Sequence, residues 1–291
     1  MRGKSYKSIK VSYANVPNMG DVLNVLVIED LFGFKVIRRT HHTSELSAIG
    51  SGLGQYTYHG AMVSRLIQRL YGMLFPSVYV WGTGFICNKE VDTPFYRKRI
   101  KFAAVRGELS KMRVEKILGH ELDIPMGDAG LLSSFLLKTP IAKKNRVGII
   151  SHYKELEEPF WKDLLKSYDN STFIDVRQDP AIVIAKIAEC DYIISSSLHG
   201  LIIADSFCIP NIHIVVTDKL SGDGFKFDDY YSAYGLKHSY LDMNKDPFPT
   251  LEWIKGNYKL NREIIEKKQL ELIKAFPFKN ETAPINSMIN Q

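Results

Sequence analysis

The residues best suited to chemistry follow an apolar predicted strand in the later part of the chain. Ser195, Ser196 and Ser197 end that strand, and the pair His199-Gly200 opens the next predicted helix. Hydroxyl groups, the free amides of a helix start and an imidazole would meet there, and they suit a small anion together with proton transfer. A capped helix start, with the histidine hydrogen-bonded to the backbone, explains the same pattern without any chemistry.

A second candidate is the turn after the first predicted strand, where Asn18, Gly20, Asp21 and Asn24 lie close together in sequence. Glycine permits a tight turn, and aspartate can cap the helix that follows. The turn lacks the G-x-G-x-x-G spacing of a dinucleotide site. We predict that these residues contact substrate, and ordinary helix capping is the alternative explanation for Asp21.

Three further candidates lie at or near other turns of the chain. Arg106 comes just before the predicted helix 107–118, where a guanidinium could clamp a carboxylate or phosphate through two hydrogen bonds, or could be a surface arginine. His152 follows a predicted strand and should face a cleft. Lys226 belongs to the aromatic segment 224–235, which we predict to be a loop that folds over the cleft or packs beside it. The sequence has no metal-ligand spacing.

These residues are positioned by alternating predicted strands and helices. The predicted strands are 8–14, 35–39, 46–50, 78–82, 101–105, 146–150, 172–176, 191–195 and 211–216. The predicted helices are 21–32, 107–118, 127–137, 155–167, 180–189, 199–207 and 250–275. Strands separated by helices indicate parallel sheets. We therefore predict an α/β fold with two doubly wound, Rossmann-like domains that face each other across a cleft.

A basic stretch containing a proline, residues 139–146, indicates the boundary between the two domains. We predict one Rossmann-like domain at 1–143 and a second at 144–249, which carries the serine-histidine turn. The remainder, 250–291, should contain a helix that crosses back onto the first domain and a frayed tail.

Composition limits the classes of protein. The chain has 291 residues, 45% of them hydrophobic, and a net charge of +6, which is typical of a globular protein. Basic residues cluster in 97–116, so an anionic ligand or an acidic membrane surface is expected rather than nucleic acid. Cys87, Cys190 and Cys208 are predicted to be buried free thiols in a reducing compartment. Without a signal peptide or transmembrane segment, we expect a cytoplasmic protein, with peripheral association at the inner face of the membrane as a further expectation.

Taken in order, the turns resemble those of the polysaccharide pyruvyltransferase family. The resemblance runs from about residue 13 to 235 and is carried by NMGDVLN, VWGTGF, VRGELS, MGDAGLL, SHY, SSSLHG with LIIADSFCIPN, and GFKFDDYYSAYG. It implies a fold similar to glycosyltransferase B and transfer of the enolpyruvyl carbon of phosphoenolpyruvate to two hydroxyls of a sugar, as in bacterial exopolysaccharide and capsule enzymes. By position, His199 matches the catalytic histidine and Arg106 an arginine implicated in donor binding.

The sequence departs from the family at one position. Some members have an arginine two residues before the catalytic histidine, where this chain has Ser197. We therefore expect another cation, with Lys226 as the candidate, or backbone amides to hold the donor. The resemblance implies phosphoenolpyruvate as donor substrate, no metal or other cofactor, and a glycan acceptor that is either a polymer or lipid-linked.

Two competing functions remain open at this point. A nucleotide-sugar glycosyltransferase of the same fold would need an acidic residue to bind the ribose hydroxyls, and Asp205 and Asp218 are available for that role. A catalytically inactive sugar-binding module is the other alternative. The intact serine-histidine turn together with Arg106 argues against it.

Overall fold

The structure, a computed structural model of the chain, describes residues 7–14, 19–75, 77–88, 93–220 and 222–289. These residues form two five-stranded sheets, in which each named strand runs parallel to its neighbours. The prediction of an α/β fold with two parallel sheets is confirmed.

Each sheet is built from consecutive strands of one half of the chain. The first contains β1 (Ser8–Ser12), β2 (Lys35–Arg39), β3 (Leu46–Ser47), β4 (Val78–Trp81) and β5 (Ile100–Ala104). The second contains β6 (Asn145–Ile150), β7 (Ser171–Phe173), β8 (Cys190–Ser195), β9 (Asn211–Val215) and β10 (Tyr240–Asp242). Their orders are β2-β1-β3-β4-β5 and β7-β6-β8-β9-β10, so both follow a doubly wound order.

Helices connect these strands and complete the chain. They are α1 (Met19–Leu26), α2 (Met62–Leu74), α3 (Glu108–Leu118), α4 (Phe160–Lys166), α5 (Pro180–Ala188), α6 (Leu198–Ser206), α7 (Phe225–Ser232), α8 (Leu251–Asn257), α9 (Arg262–Ala275) and α10 (Pro284–Met288). A π-helix, Val27–Leu31, extends α1, and two 3₁₀ helices cover Leu53–Tyr56 and Ala129–Leu136. As the described ranges show them, none of these helices is long and apolar enough to cross a bilayer.

Several predicted segments differ from the structure, and the larger differences lie in the second half of the chain. The segment 224–235, predicted as a loop, contains the helix α7. The single helix predicted at 250–275 is two helices, because the side chains of Thr250 and Asn261 each cap a new helix start. The prediction of a frayed tail is wrong for residues 284–288, which form α10 with Ile285 buried.

The C-terminal helices pack against the first half of the chain. Trp81 Nε1 donates a hydrogen bond to the carbonyl oxygen of Leu272 at 2.9 Å, and the rings of Phe32 and Phe276 stack at 3.8 Å. A continuous apolar core includes strand residues of both halves, such as Val11 and Ile193. The two sheets are therefore held together by packing as well as by the connecting chain.

The three cysteines are free in the structure, but only Cys190 is fully buried. Cys87 and Cys208 are partly exposed, so the prediction of three buried thiols holds for one of them. Burial raises the pKa of the Cys190 thiol to about 12, which makes it an unreactive core residue.

Candidate active site

A cavity of about 250 Å³ lies between the two halves, at the carboxyl ends of their strands. It is lined by Ser12, Tyr13, Ala14, Asp21, Ser47, Ile49, Gly50, Ser51, Gly52, Gln55, Ile86, His152, Tyr153, Lys154, Ser197, Leu198, His199 and Lys226. Many of these residues end or follow β1, β3, β6 or β8, the strands at which each sheet reverses its order. Ligands of doubly wound folds bind where the strand order reverses. The cavity lies at this point of both sheets, so it is the expected ligand site.

A larger cavity of about 780 Å³ lies elsewhere, between the 3₁₀ helix Ala129–Leu136, the segment 137–143 and α9. As far as the described residues define its walls, none of the predicted site residues lies in them. The smaller cavity is therefore the better candidate for chemistry.

His199 connects the two halves at the cavity. It is the second residue of α6, directly after β8, and its ring lies against Gly20 in the first turn of α1. A Cβ atom on Gly20 would lie 2.1 Å from His199 Nδ1, so only glycine fits there. The prediction of a tight turn at Gly20 is wrong. This glycine lies in helix α1, and its lack of a side chain makes room for the imidazole.

The imidazole of His199 is held neutral. Its Nε2 atom is buried and makes no hydrogen bond with any part of the chain that the structure describes. Loss of water, followed by the positive charges of Lys226 and Arg106, lowers its pKa to about 3. The residue His199 lines the cavity, and an anion bound there would raise this pKa again.

The serines before His199 do not share one role. Ser195 Oγ accepts a hydrogen bond from the amide of Ser197 at 2.9 Å and donates to its carbonyl, so it shapes the turn. Ser196 Oγ donates to Glu155 Oε2 at 2.6 Å and accepts from the amide of His152. Both are fully buried below the cavity wall, and the prediction that they bind substrate is not supported by their positions. Ser197 does line the cavity.

Gly200 is likewise a packing residue rather than a contact to substrate. A Cβ atom there would lie 2.7 Å from Ser195 Oγ and 3.1 Å from Ile150 Cδ1. The glycine lets α6 approach β6 and the serine turn closely, which places His199 at the cavity.

Two lysines make the cavity positively charged, and a second histidine lines it. Lys226, in the first turn of α7, lines it, and burial together with Arg106 and Lys154 lowers the Lys226 pKa to about 8. His152 lines it too, and burial with Lys226 and Lys154 lowers its pKa to about 4. Sequence reasoning missed Lys154, although it follows His152 and Tyr153 at the end of a predicted strand.

Arg106 does not clamp a ligand in the cavity. Its guanidinium is fully buried, with Nε 2.9 Å from Asp229 Oδ2 and NH2 2.5 Å from the carbonyl oxygen of Phe85. NH1 donates to the carbonyl of Gly50 and to Ser51 Oγ, two residues of the cavity wall. We predicted a bidentate contact between Arg106 and a donor, but the guanidinium lies behind the cavity wall. There its hydrogen bonds hold Gly50 and Ser51 in place, and its positive charge lies close to the cavity.

The basic segment 97–116 does not form one charged surface either. Arg97, Arg106 and Arg113 are all buried, and Arg97 NH1 donates to backbone carbonyls of His41 and His42. Arg97 and Arg113 hold loops of the first half of the chain, and Arg106 pairs with Asp229 of the second half.

Of the site residues predicted in the first half of the chain, one lines the cavity and another is buried away from it. Asp21 lines the cavity, and its contact with a substrate stays a prediction. Asn24 is fully buried and exchanges hydrogen bonds with the backbone of Ile49, so it holds the chain after β3. Asn18 lies outside the described residues.

Two other features bear on ligand classes. In the described part of the chain, no three His, Cys, Asp or Glu side chains are grouped so that they could hold a metal ion. Asp205 is fully buried and accepts hydrogen bonds from Asn211 at 2.6 Å and Tyr230 at 2.8 Å. It is therefore not available to bind a ribose, as the glycosyltransferase alternative would need.

The chain thus combines two parallel sheets with a positively charged cavity between its halves, which suits the binding of an anionic ligand. Residues 48–218, more than half of the chain, match the family described as "Polysaccharide pyruvyl transferase". The chain belongs to this family. Its membership supports a role in pyruvyl transfer during polysaccharide biosynthesis.

Two curated proteins are similar to the chain. Uncharacterized protein L143 of Acanthamoeba polyphaga mimivirus is 29% identical over 254 residues, which is 84% of this chain and 78% of that protein. Succinoglycan biosynthesis protein ExoV of Rhizobium meliloti (strain 1021) is 24% identical over 222 residues, 76% of this chain and 63% of that protein.

One solved structure, an alpha1,3-fucosyltransferase, aligns with 97% of this chain and 86% of its own. The TM-score is 0.27 at 10% identity, and a similarity this low does not establish a shared fold.

Proposed function

We propose that this protein transfers a pyruvyl group from phosphoenolpyruvate to two hydroxyls of one sugar residue, giving a cyclic ketal on a surface polysaccharide or its precursor. The observation that carries the proposal is the placement of His199, Lys226 and Lys154 around one cavity between the two sheets. Family membership and the name of the relative ExoV support the polysaccharide as the acceptor class. For the architecture we propose two facing domains similar to glycosyltransferase B.

The donor is held by charge. Phosphoenolpyruvate carries about three negative charges near neutral pH, since a second phosphate pKa lies near ~6. Lys226 and Lys154 line the cavity, and the start of α6 presents backbone amides beside them. These groups take the place of the arginine that some members of the family have at the position of Ser197. Arg106 contributes its charge from behind Gly50 and Ser51.

The reaction forms two bonds to the same carbon. Protonation of the donor's methylene carbon gives a methyl group and a cationic centre at the carbon that bears the phosphate. One sugar hydroxyl attacks this carbon, the bond to the phosphate oxygen breaks, and the second hydroxyl closes the ring. The two hydroxyl protons balance the reaction, because one is equivalent to the proton gained by the methyl group and the other leaves with phosphate.

His199 is the residue that we propose to move a proton. Its neutral imidazole belongs to the cavity lining and would accept a proton from the attacking hydroxyl. The bound phosphate stabilises the imidazolium that forms. Asp21 and His152, which line the same cavity, are positioned to contact the sugar hydroxyls.

The test is an assay of phosphate release from phosphoenolpyruvate with candidate glycans, read together with the mass of the glycan. Phosphate release with a pyruvyl ketal on the glycan is the expected result. Loss of a nucleotide from a nucleotide sugar would indicate the glycosyltransferase alternative, and binding without turnover would indicate a sugar-binding module. His199→Asn should reduce turnover by about 10²–10⁴-fold, while His120→Asn, on an exposed histidine, should have no effect.

A further inference from the structure

Helix α2 packs on the protein with a polar and a small residue. Gln68 is 3% exposed, and its Oε1 accepts a hydrogen bond from the amide of His59 at 3.2 Å. Gly72 lies so close to the chain that a Cβ atom there would be 1.9 Å from the carbonyl oxygen of Tyr96. Most surface helices of globular proteins instead turn an apolar stripe toward the core.

The opposite side of α2 is apolar and faces water. Six large apolar side chains of this helix are each more than half exposed: Met62, Val63, Leu66, Leu70, Met73 and Leu74. At about 100° per residue they fall on one side of the helix, opposite Gln68 and Gly72. Exposed apolar surface that is continuous in this way is typical of an interaction site.

Positive charge lies along one edge of this apolar side. Arg65 and Arg69 are both exposed there, and helix α2 itself contains no aspartate or glutamate, while Glu90 and Asp92 follow later in the sequence.

A shallow depression of about 400 Å³ lies beside the helix. Its walls place Arg65 and Arg69 next to Tyr58, Met62 and Leu66. Cations at the edge of an apolar surface match the arrangement of a lipid, in which an anionic headgroup adjoins acyl chains.

We propose that α2 docks on the surface of an anionic lipid bilayer. The helix has 13 residues and is therefore about 20 Å long, too short to span a hydrocarbon core of ~30 Å. It lies in the plane of the interface, with Leu66 and Leu70 among the acyl chains and Arg65 and Arg69 on lipid phosphates.

A second copy of the chain fits this surface less well. In a two-fold dimer each helix would face the same helix of its partner. Arg65 and Arg69 would then approach the same arginines of the partner, and α2 itself offers no carboxylate to pair with them. An anionic bilayer satisfies the apolar side and the arginines together.

The test measures binding of the whole protein to sedimented vesicles of equal parts phosphatidylglycerol and phosphatidylcholine, and to vesicles of phosphatidylcholine alone. The protein should bind the anionic vesicles more tightly, with an affinity that falls as salt rises. The double variant Arg65→Gln/Arg69→Gln should lose about 30-fold in affinity, since each arginine near an anionic surface contributes about fivefold. Leu66→Ser/Leu70→Ser should lose at least about tenfold on both kinds of vesicle.

Matched variants control for general changes in charge and apolar exposure. Lys255→Gln/Lys259→Gln removes two exposed cations at the same spacing, and Ile182→Ser removes an apolar side chain that is half exposed on α5. Both should bind vesicles as the unchanged protein does.

Equal binding by the α2 variants and the unchanged protein would overturn the proposal, as would no binding to anionic vesicles at all. A concentration-dependent dimer that the leucine variant abolishes would assign the surface to self-association instead. None of these readouts depends on pyruvyl transfer, so the proposal fails or stands separately from the proposed function.

Discussion

Arg106 and Asp229 form an ion pair that is completely removed from water, with Nε and Oδ2 2.9 Å apart, and it joins the two halves of the chain. The same carboxylate accepts hydrogen bonds from the amide and the hydroxyl of Ser110 at 2.7 Å. Ser232 Oγ accepts from the amide of Glu108 at 2.8 Å. Helix α7 thus caps the start of α3, and Lys226, one turn earlier on α7, is fixed in the cavity.

We predict that breaking this pair destabilises the fold. Asp229→Asn leaves a buried guanidinium without its counter-charge, and loss of one partner of a buried pair costs about 3–5 kcal/mol in the free energy of unfolding. Urea unfolding measures this change. Asp163→Asn, at an exposed pair with Lys166, is the matched control and should change stability by less than about 1 kcal/mol. Equal effects of the two variants would show that the buried pair is not a structural link.

The contact between Gly20 and His199 gives a second prediction. Gly20→Ala places a methyl group where the imidazole lies, so the ring must move or the two halves must separate. A shift of ~1 Å in a reacting group costs about 10²-fold in rate, and we expect a loss of turnover of that order. Gly256→Ala, in helix α8 with open space around it, should retain full turnover and equal or higher stability. Normal turnover by Gly20→Ala would contradict the observed packing.

The alternation of apolar runs and helical stretches was sufficient to predict the parallel sheets. The position of His199 at a strand end also followed from local sequence, because the carboxyl ends of parallel strands are ligand sites. The burial of Arg106 could not be predicted from local sequence, because its partner Asp229 lies 123 residues further along the chain.

Helices α2 and α7 were not predicted. The apolar residues of α2 have helical spacing, so this helix could have been predicted from the sequence, and only the exposure of its apolar side is a feature of the packing. In contrast, α7 is a short aromatic segment held by long-range contacts such as Asp229 with Ser110. Similarly, adjacent serines look alike in sequence, and only the packing separates Ser197 in the cavity from Ser195 below it.

The depressed pKa of His199 gives a third prediction, for stability against pH. Its pKa is about 3 in the folded chain and near ~6.5 when unfolded, so the unfolded chain binds the extra proton between these values. Stability is therefore lost as pH falls below ~6.5, and one such histidine accounts for up to about 2 kcal/mol between pH 7 and pH 5. His199→Asn should remove this part of the acid sensitivity in urea unfolding. His120→Asn, on the surface, should not, and an unchanged pH dependence in His199→Asn would mean that the imidazole is not held neutral by the fold.

The last prediction concerns the binding of the donor by Lys226. Its pKa of about 8 leaves it mainly charged at neutral pH, and the charge is lost as pH rises through that value. The apparent constant for phosphoenolpyruvate should therefore rise above about pH 8. Lys226→Met should raise that constant at neutral pH by at least about tenfold, because a charge-assisted hydrogen bond contributes about 1.5–3 kcal/mol. In this variant the apparent constant for phosphoenolpyruvate should change little between about pH 7 and about pH 9, because the titrating lysine is absent.

The control for this variant is Lys237→Met, on a lysine exposed beyond the end of α7, which should behave as the unchanged enzyme. Kinetics with each substrate varied in turn distinguish the two halves of the reaction. If the constant for phosphoenolpyruvate is unchanged in Lys226→Met while that for the sugar rises, Lys226 binds the glycan, and the donor anion must be held by Lys154 and the amides that open α6 at His199.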